Sequence, residues 1–308
     1  MDLKPVEFSV QASPRDRLSW LELARRCEDI GVRALLVSDH PGSGPSPFVA
    51  LAAASAVTSR LRLGSYVLNA GVRDPLLIAG DVATLDVVSG GRAEVGLGAG
   101  HTPAEWAMTG RARPGPAARA QRLMSVAGAV ADLLAGRTVP GERVGVTVDV
   151  VLSGPRPVQS HVPLLIGGGN PALLRWAGAN ADAVGLSGLG RTLADGHSHT
   201  VAWSAVQVDN QVRQVRDAAD GAGVAVPALE VLVQHVEITA DQTGAAQVFA
   251  GEAEIDVDDL LAVPYALIGS VHQVVEQVHA ARERWGITRW VVREAAVDAM
   301  TAIVRALH

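Results

Sequence analysis

Two histidines stand directly after apolar runs that predict buried strands. His40 follows the run 34–37, with Asp39 beside it, and His101 follows the run 92–100. An imidazole titrates near neutral pH, so it can hold or move a proton during a reaction. Polar residues at the carboxyl ends of parallel strands commonly form functional sites. His40 and His101 are therefore candidate catalytic residues; the alternative for each is a purely structural histidine.

A glycine-rich turn provides a candidate anion site. Gly167, Gly168, Gly169 and Asn170 lie between a predicted strand and a helical pattern that begins at Pro171. Glycines let backbone N–H groups converge on an anion, and the amino end of a helix adds favourable electrostatic potential. The turn is therefore a candidate phosphate site, and a flexible turn without a ligand is the alternative.

Two other patterns point less strongly to chemistry. Gly96, Gly98 and Gly100 partly match a dinucleotide-binding fingerprint, but they lack its spacing and lie within a predicted strand, which argues against a Rossmann site. His197 and His199 are arranged like the metal ligands of some hydrolase barrels, but no carboxylate pattern of that kind lies near them. We therefore predict no metal site.

The elements that position these residues alternate regularly between strand and helix patterns. Runs that predict eight strands lie at 6–11, 34–37, 61–69, 92–100, 162–166, 182–186, 229–238 and 288–292. Such alternation favours parallel βα units over an antiparallel fold. We predict an α/β fold, a (β/α)8 TIM barrel with insertions in the strand-end loops, over one domain of residues 1–308. A doubly wound sheet is the alternative.

Local signals predict where helices and loops begin. Ser13 is the candidate N-cap of the first helix, with Pro14 at its first position. Helical patterns also cover 48–59 and 271–285. The stretch 188–198 is too long for a simple turn, so we predict it as a loop that forms a lid over the site.

Composition argues against several classes of protein. The 308 residues carry a formal net charge of −6, which argues against nucleic acid as the main partner. Cys27 is the only cysteine and falls on an apolar helix stripe, which predicts core packing and excludes an internal disulfide. The longest apolar run, 47–57, is too short to span a bilayer, and the first residues lack a signal-peptide pattern. We expect a cytoplasmic protein without a membrane partner.

Six stretches resemble one known family over nearly the whole chain. They are Leu-Val-Ser-Asp-His (36–40), Leu-Arg-Leu-Gly-Ser-Tyr-Val-Leu-Asn (61–69), Ala-Thr-Leu-Asp-Val-Val-Ser-Gly-Gly-Arg (83–92), Gly-Leu-Gly-Ala-Gly (96–100), Pro-Leu-Leu-Ile-Gly-Gly-Gly (163–169) and Ala-Asp-Ala-Val-Gly-Leu (181–186). The family is the bacterial luciferase-like oxidoreductases, and the chain most resembles their coenzyme F420-dependent branch. The resemblance implies a barrel that holds a flavin or a 5-deazaflavin and reduces or oxygenates a small molecule.

The resemblance implies roles for the two strand-end sites. The aspartate that matches Asp39 contacts the deazaflavin ring or its ribityl chain, and the histidine that matches His40 sits near the carbon that carries the hydride. His101 stands where the related sugar-phosphate dehydrogenases have a glutamate that acts as a general acid or base. Those enzymes also have a tryptophan where this chain has only Gly-Ser-Gly-Pro (42–45). We therefore do not expect a sugar phosphate as substrate.

The resemblance also implies a cofactor site that crosses the barrel. It implies a non-prolyl cis peptide bond between Tyr66 and Val67, behind the bent ring, and Asn69 as a further polar ligand. Gly100 completes the glycine run beside the ring. The turn 167–170 holds the cofactor phosphate.

Several functions are compatible with these residues. The first is an F420-dependent oxidoreductase that transfers a hydride between the deazaflavin C5 and a small organic substrate. The second is an FMN-dependent monooxygenase with the same fold. A barrel that binds a cofactor or ligand without turnover is the third, and a zinc hydrolase is the remaining option. The resemblance also implies a homodimer packed through barrel helices, and the small residues of 48–59 would allow close helix contact.

Overall fold

The computed structural model describes residues 5–193 and 199–307. Its first elements are β1 (Glu7–Gln11), α1 (Arg17–Ile30), β2 (Ala34–Val37), α2 (Pro47–Ser55), β3 (Arg62–Ser65), β4 (Leu68–Asn69), α3 (Pro75–Ser89), β5 (Ala93–Gly98), α4 (Pro103–Met108), α5 (Pro116–Leu134) and α6 (Gly141–Val144). They are followed by β6 (Leu164–Gly167), α7 (Pro171–Asn180), β7 (Ala183–Leu186), β8 (Leu189–Thr192), β9 (His199–Val201), α8 (Ala205–Ala222), β10 (Ala228–Leu232), β11 (His235–Ile238), α9 (Gln242–Ala253), α10 (Val257–Leu261), β12 (Ala266–Gly269), α11 (Val271–Trp285), β13 (Ile287–Arg293), a 3-10 turn (Glu294–Ala296) and α12 (Val297–Leu307). No helix in this described part of the chain is long and apolar enough to cross a membrane.

Eight parallel strands close into a barrel. The ring of neighbours is β1, β2, β3, β5, β6, β7, β10 and β13, and the pairing of β13 with β1 completes it. Helices connect successive strands, which defines a TIM barrel. The predicted (β/α)8 fold is therefore confirmed, with all eight predicted strands present, and the doubly wound alternative is wrong. Insertions in the strand-end loops, predicted in general, follow β5, β7 and β10; the position after β10 was not predicted.

The accurately predicted elements are those with strong local signals. All four residues of β2 are buried, because one face of the strand meets the barrel interior and the other meets helices. Helix α11 begins at a capping box in which the Ser270 hydroxyl accepts the Gln273 backbone N–H at 3.3 Å. It ends at Gly286, whose φ of 72° favours glycine.

The first helix begins later than predicted. Asp16, rather than Ser13, is the N-cap of α1, and its carboxylate accepts the backbone N–H groups of Leu18 and Ser19 at 2.9 and 3.0 Å. Two of the unpaired donors at the helix end are thereby satisfied by one side chain. Ser13 stays outside the helix, at the carboxyl ends of the barrel strands, which we call the barrel mouth. Within α1, Cys27 is fully buried as predicted, and burial raises the pKa of its thiol to about 12.

Three predicted segments are interrupted in the structure. The predicted strand 61–69 divides into β3 and β4, and the predicted strand 229–238 divides into β10 and β11; β11 leaves the barrel and pairs with β12. The predicted loop 188–198 contains β8, which pairs antiparallel with β9. The remainder of that loop, 194–198 with His197, lies outside the described residues. These breaks depend on pairing partners distant in sequence, which a local pattern does not contain.

The break between β3 and β4 contains a cis peptide bond between Tyr66 and Val67, as predicted. The Tyr66 side chain enters the apolar interior of the barrel, whereas Val67 packs against glycines. A Cβ on Gly96, Gly98 or Gly167 would lie 3.2, 2.5 or 3.2 Å from a Val67 methyl carbon. The strand glycines therefore leave space for Val67. This packing explains the repeated glycines of β5, whose spacing does not match a dinucleotide-binding motif.

Gly96→Ala tests this packing. A Cβ at Gly96 would lie 2.4 Å from the backbone oxygen of Ser65, so we expect the free energy of unfolding to fall by about 2 kcal/mol or more. Gly251→Ala in α9 is the control, because nothing lies within 4 Å of the added Cβ, and we expect it to raise the free energy of unfolding by about 0.5 kcal/mol. Urea unfolding measures both variants. Native stability in Gly96→Ala would contradict the packing described.

Candidate functional site

An open cavity of about 590 Å³ lies at the barrel mouth. It is lined by residues that follow β1 and β2, among them Ser13, Ser38 and His40. The loop after β2 supplies Ser43 and Gly44. The cavity therefore occupies the end of the barrel where TIM-barrel enzymes place their chemistry.

His40 is held by a buried carboxylate. Its Nδ1 lies 2.8 Å from Oε1 of Glu105, which is 2% exposed and is carried by α4 after β5. Burial would raise the pKa of Glu105, but hydrogen bonds from His40 and Asn69 outweigh it and lower that pKa. Because the ionised carboxylate only accepts, Nδ1 of His40 donates and Nε2 is left for other partners. The same hydrogen bond raises the pKa of His40.

Asn69 and Asp39 extend this arrangement into a network. Asn69 Nδ2 donates to Glu105 Oε2 at 2.6 Å, and the Asn69 backbone N–H donates to Asp39 Oδ2 at 3.0 Å. Arg73 binds both carboxylate oxygens of Asp39 at 2.7 Å. Asp39 and Asn69 are each 3% exposed. Their predicted contacts with a cofactor stay predictions; in the structure their polar atoms bind each other, Arg73 and the Glu105 that holds His40.

Gly100 serves the same network. The Asn69 Oδ1 accepts the Gly71 backbone N–H at 2.9 Å, and a Cβ at Gly100 would lie 2.0 Å from that oxygen. Gly100 also has a φ of 70°, which favours glycine. Gly100 therefore leaves space for Asn69, and its contact with a cofactor stays a prediction.

His101 lies beside His40 and a third histidine. Its ring centroid is 5.7 Å from that of His40 and 4.2 Å from that of His199, which the β8–β9 hairpin carries to the mouth. Burial, with the neighbouring His199 and His40, lowers the pKa of His101 to about 4. His101 is therefore neutral at pH 7, whereas the raised pKa of His40 favours its protonated form. The two candidate catalytic histidines therefore differ in protonation: the environment favours the neutral form of His101 and the protonated form of His40.

The predicted phosphate turn lies between β6 and the amino end of α7. Asn170 caps α7 by accepting the N–H groups of Ala172 and Leu173 at 2.9 and 3.3 Å, so these donors are already used. Gly169 is exposed, and a Cβ there would lie 2.9 Å from Gln211 Nε2. Gln211 is 8% exposed, and its Oε1 has no hydrogen-bond partner among the described residues. An anion at the turn would therefore meet the Gly169 region and Gln211.

Sequence analysis missed three residues of the mouth. Glu105 and Arg73 hold the network, and Gln11 donates from Nε2 to the Tyr66 carbonyl at 2.7 Å. Glu105 is 65 positions from His40, and no local pattern joins positions so far apart. His199 was considered only as a metal ligand. Among the described residues, no three His, Cys, Asp or Glu side chains are grouped so that they could hold a metal ion.

The family model for luciferase-like monooxygenases matches residues 9–198. The chain therefore belongs to the luciferase-like monooxygenase family.

Named relatives include F420-dependent enzymes. A 5,10-methylenetetrahydromethanopterin reductase from Methanopyrus kandleri is 29% identical over 194 residues, which cover 58% of this chain and 54% of that protein. An F420-dependent glucose-6-phosphate dehydrogenase from Amycolatopsis mediterranei is 29% identical over 182 residues, which cover 56% of this chain and 53% of that protein. The chain thus matches about half the length of these curated relatives.

Solved structures with this fold include a monooxygenase and an F420-dependent reductase. A monooxygenase from Streptomyces bottropensis has a TM-score of 0.76 at 22% identity, with 97% of this chain and 96% of that chain covered. The F420-dependent tetrahydromethanopterin reductase from Methanopyrus kandleri has a TM-score of 0.74 at 21% identity, with 98% of each chain covered. At these identities the likeness establishes the shared fold.

Proposed function

We propose that this chain is an F420-dependent oxidoreductase that transfers a hydride between the deazaflavin C5 and a small organic substrate. The observation that carries the proposal is the His40–Glu105 pair at the barrel mouth, where Nδ1 is fixed and Nε2 is left for a ligand. The F420-dependent relatives support the choice of cofactor. We also propose that residues 1–308 form one domain, since β1 and β13, near the two chain ends, pair in the same barrel.

The residues of the mouth fit a flat ring with a phosphate-bearing tail. Val67 is partly exposed and packs on strand glycines, so it offers an apolar surface to a ring. We assign the phosphate to the backbone N–H groups of Gly169 and Asn170, at the predicted turn 167–170. The Gln211 amide Nε2, which lies 2.9 Å from the position of a Cβ on Gly169, is the side-chain donor beside them. When bound, the deazaflavin would supply the hydride chemistry that no side chain provides.

The histidines of the mouth would hold or transfer the proton that accompanies hydride transfer. With Nδ1 committed to Glu105, His40 can hold or release a proton only through Nε2. His101, neutral at pH 7, would orient a substrate oxygen by a hydrogen bond without adding charge. Asn69 acts through Glu105 and Asp39 acts through Asn69, so we assign both a positioning role beside their predicted contacts with the cofactor.

An FMN-dependent monooxygenase is the second candidate, because a monooxygenase shares the fold over nearly the whole chain. The same histidines would then face a flavin that activates oxygen. A barrel without turnover is the third possibility and is an outcome of the experiment below.

Titration of the purified protein with F420 and with FMN, read by fluorescence, tests the choice of cofactor. We expect tight F420 binding, and oxidation of reduced F420 by at least one member of an acceptor panel. His40→Gln should leave F420 affinity within about twofold but lower the rate by about 10²-fold or more. His272→Gln, at an exposed position on α11, should change neither.

Three results would contradict the proposal. Selective FMN binding with oxygen consumption would identify the monooxygenase. Tight F420 binding without turnover of any acceptor would identify a binding barrel. An unchanged rate in His40→Gln would remove the assigned role of that residue.

We propose a homodimer packed through α2 and α3. Val49, Leu77 and Val88 are 71%, 65% and 56% exposed on these neighbouring helices, and apolar surface of this kind favours a protein contact. We expect light scattering to give about twice the chain mass of 31.9 kDa. Leu77→Asp should give a monomer, whereas Val248→Asp on α9, at an equally exposed position, should not. A monomeric native protein would contradict the proposal.

A further inference from the structure

Arg293 is the last residue of β13 and faces the barrel mouth. The strand is in register with β1, so that Val291 pairs with Ser9 and Arg293 pairs with Gln11. Val291 belongs to the apolar cluster inside the barrel. Because side chains alternate along a strand, Arg293, two positions later, points to the same interior side but at the open end.

The partners of Arg293 are neutral. Its Nη1 donates to the Val233 carbonyl at 3.4 Å, and its Nη2 donates to Gln234 Oε1 at 3.0 Å. Among the described residues, no carboxylate lies within 4 Å of its guanidinium. By contrast, Arg289 occupies the same face at the other end of β13 and binds Glu7 at 3.2 Å.

The environment of Arg293 favours an anionic ligand. The Arg293 side chain is exposed at the end of β13, and although desolvation lowers its pKa, a guanidinium remains charged at neutral pH. Because its described partners are neutral, the guanidinium can still form a charge-assisted hydrogen bond, which is stronger than a neutral one. Its remaining N–H donors form a planar fork, which matches a planar acceptor edge.

Arg293 is separate from the proposed phosphate turn. The turn follows β6, and two barrel strands, β7 and β10, stand between β6 and β13 in the ring. By contrast, β13 adjoins β1, whose downstream residues line the cavity that contains His40. A ligand that extends from His40 across the end of β1 would reach Arg293 without involving the phosphate turn.

We propose that Arg293 binds a planar, anionic or strongly polarised oxygen edge of the ligand in the barrel mouth. This edge is either the O–C–N edge of the cofactor ring or a carboxylate of the substrate. The first source rests on the proposed function, whereas the second does not. No charged residue of the described chain competes for this guanidinium.

Calorimetric titration of Arg293→Gln and Arg293→Lys tests the inference. The probes are riboflavin, which has the ring without the phosphate, F420, and benzoate as a carboxylate. Arg15→Gln is the control, because this exposed arginine already pairs with the carboxylate of Glu294, whereas the described partners of Arg293 are neutral. If the ring edge is the partner, Arg293→Gln should weaken riboflavin and F420 binding by about tenfold or more.

If a substrate carboxylate is the partner, riboflavin and F420 affinities should stay unchanged while benzoate binding weakens by a similar factor. Arg293→Lys should retain part of the affinity in either arm, because it keeps the charge but not the fork. Unchanged binding of all three probes in Arg293→Gln would overturn the inference. Failure of the native protein to bind riboflavin and F420 would instead defeat the proposed function, and the benzoate arm would still decide the role of Arg293.

Discussion

The arrangement of the barrel mouth depends on one buried carboxylate. Glu105 accepts hydrogen bonds from His40 and Asn69, and an ionised carboxylate with no such partners would be costly to bury. The two bonds therefore satisfy Glu105 and at the same time fix both donors. Asp39 and Arg73 continue the network on the other side of Asn69. The orientation of His40 thus results from contacts among residues of three strand-end loops.

The glycines at the mouth contribute space, because they have no Cβ, rather than contacts with a ligand. Gly96, Gly98 and Gly167 leave space for Val67, and Gly100 leaves space for Asn69. Without these glycines the segment after β3 would meet overlapping Cβ atoms. The glycine run 96–100, which partly matches a nucleotide-binding motif, therefore has a packing role.

The sequence predicts the fold more completely than it predicts the contacts of the site. Buried runs such as β2 and the alternation of strand and helix patterns are local features, and they predict the barrel and its strand count. The cis bond at Tyr66 was expected from the family resemblance and is present. The roles of Asp39 and Glu105 were not predictable, because each is set by a partner 30 or more positions away. A single sequence contains no record of such pairs.

The most direct measurement of this account is the titration of His40 by NMR, with nitrogen-15 in the histidine rings. We expect Nδ1 to stay protonated in the neutral ring while Nε2 titrates. The hydrogen bond to Glu105 raises the pKa of His40, so its stabilising effect is full below the ordinary histidine pKa and is lost as pH rises through the raised value. Glu105→Gln removes the charge and should make His40 lose its proton at lower pH, whereas Glu237→Gln, beside the partly exposed His235, should leave His40 unchanged. An unaltered His40 titration in Glu105→Gln, or a neutral ring protonated on Nε2, would contradict the account.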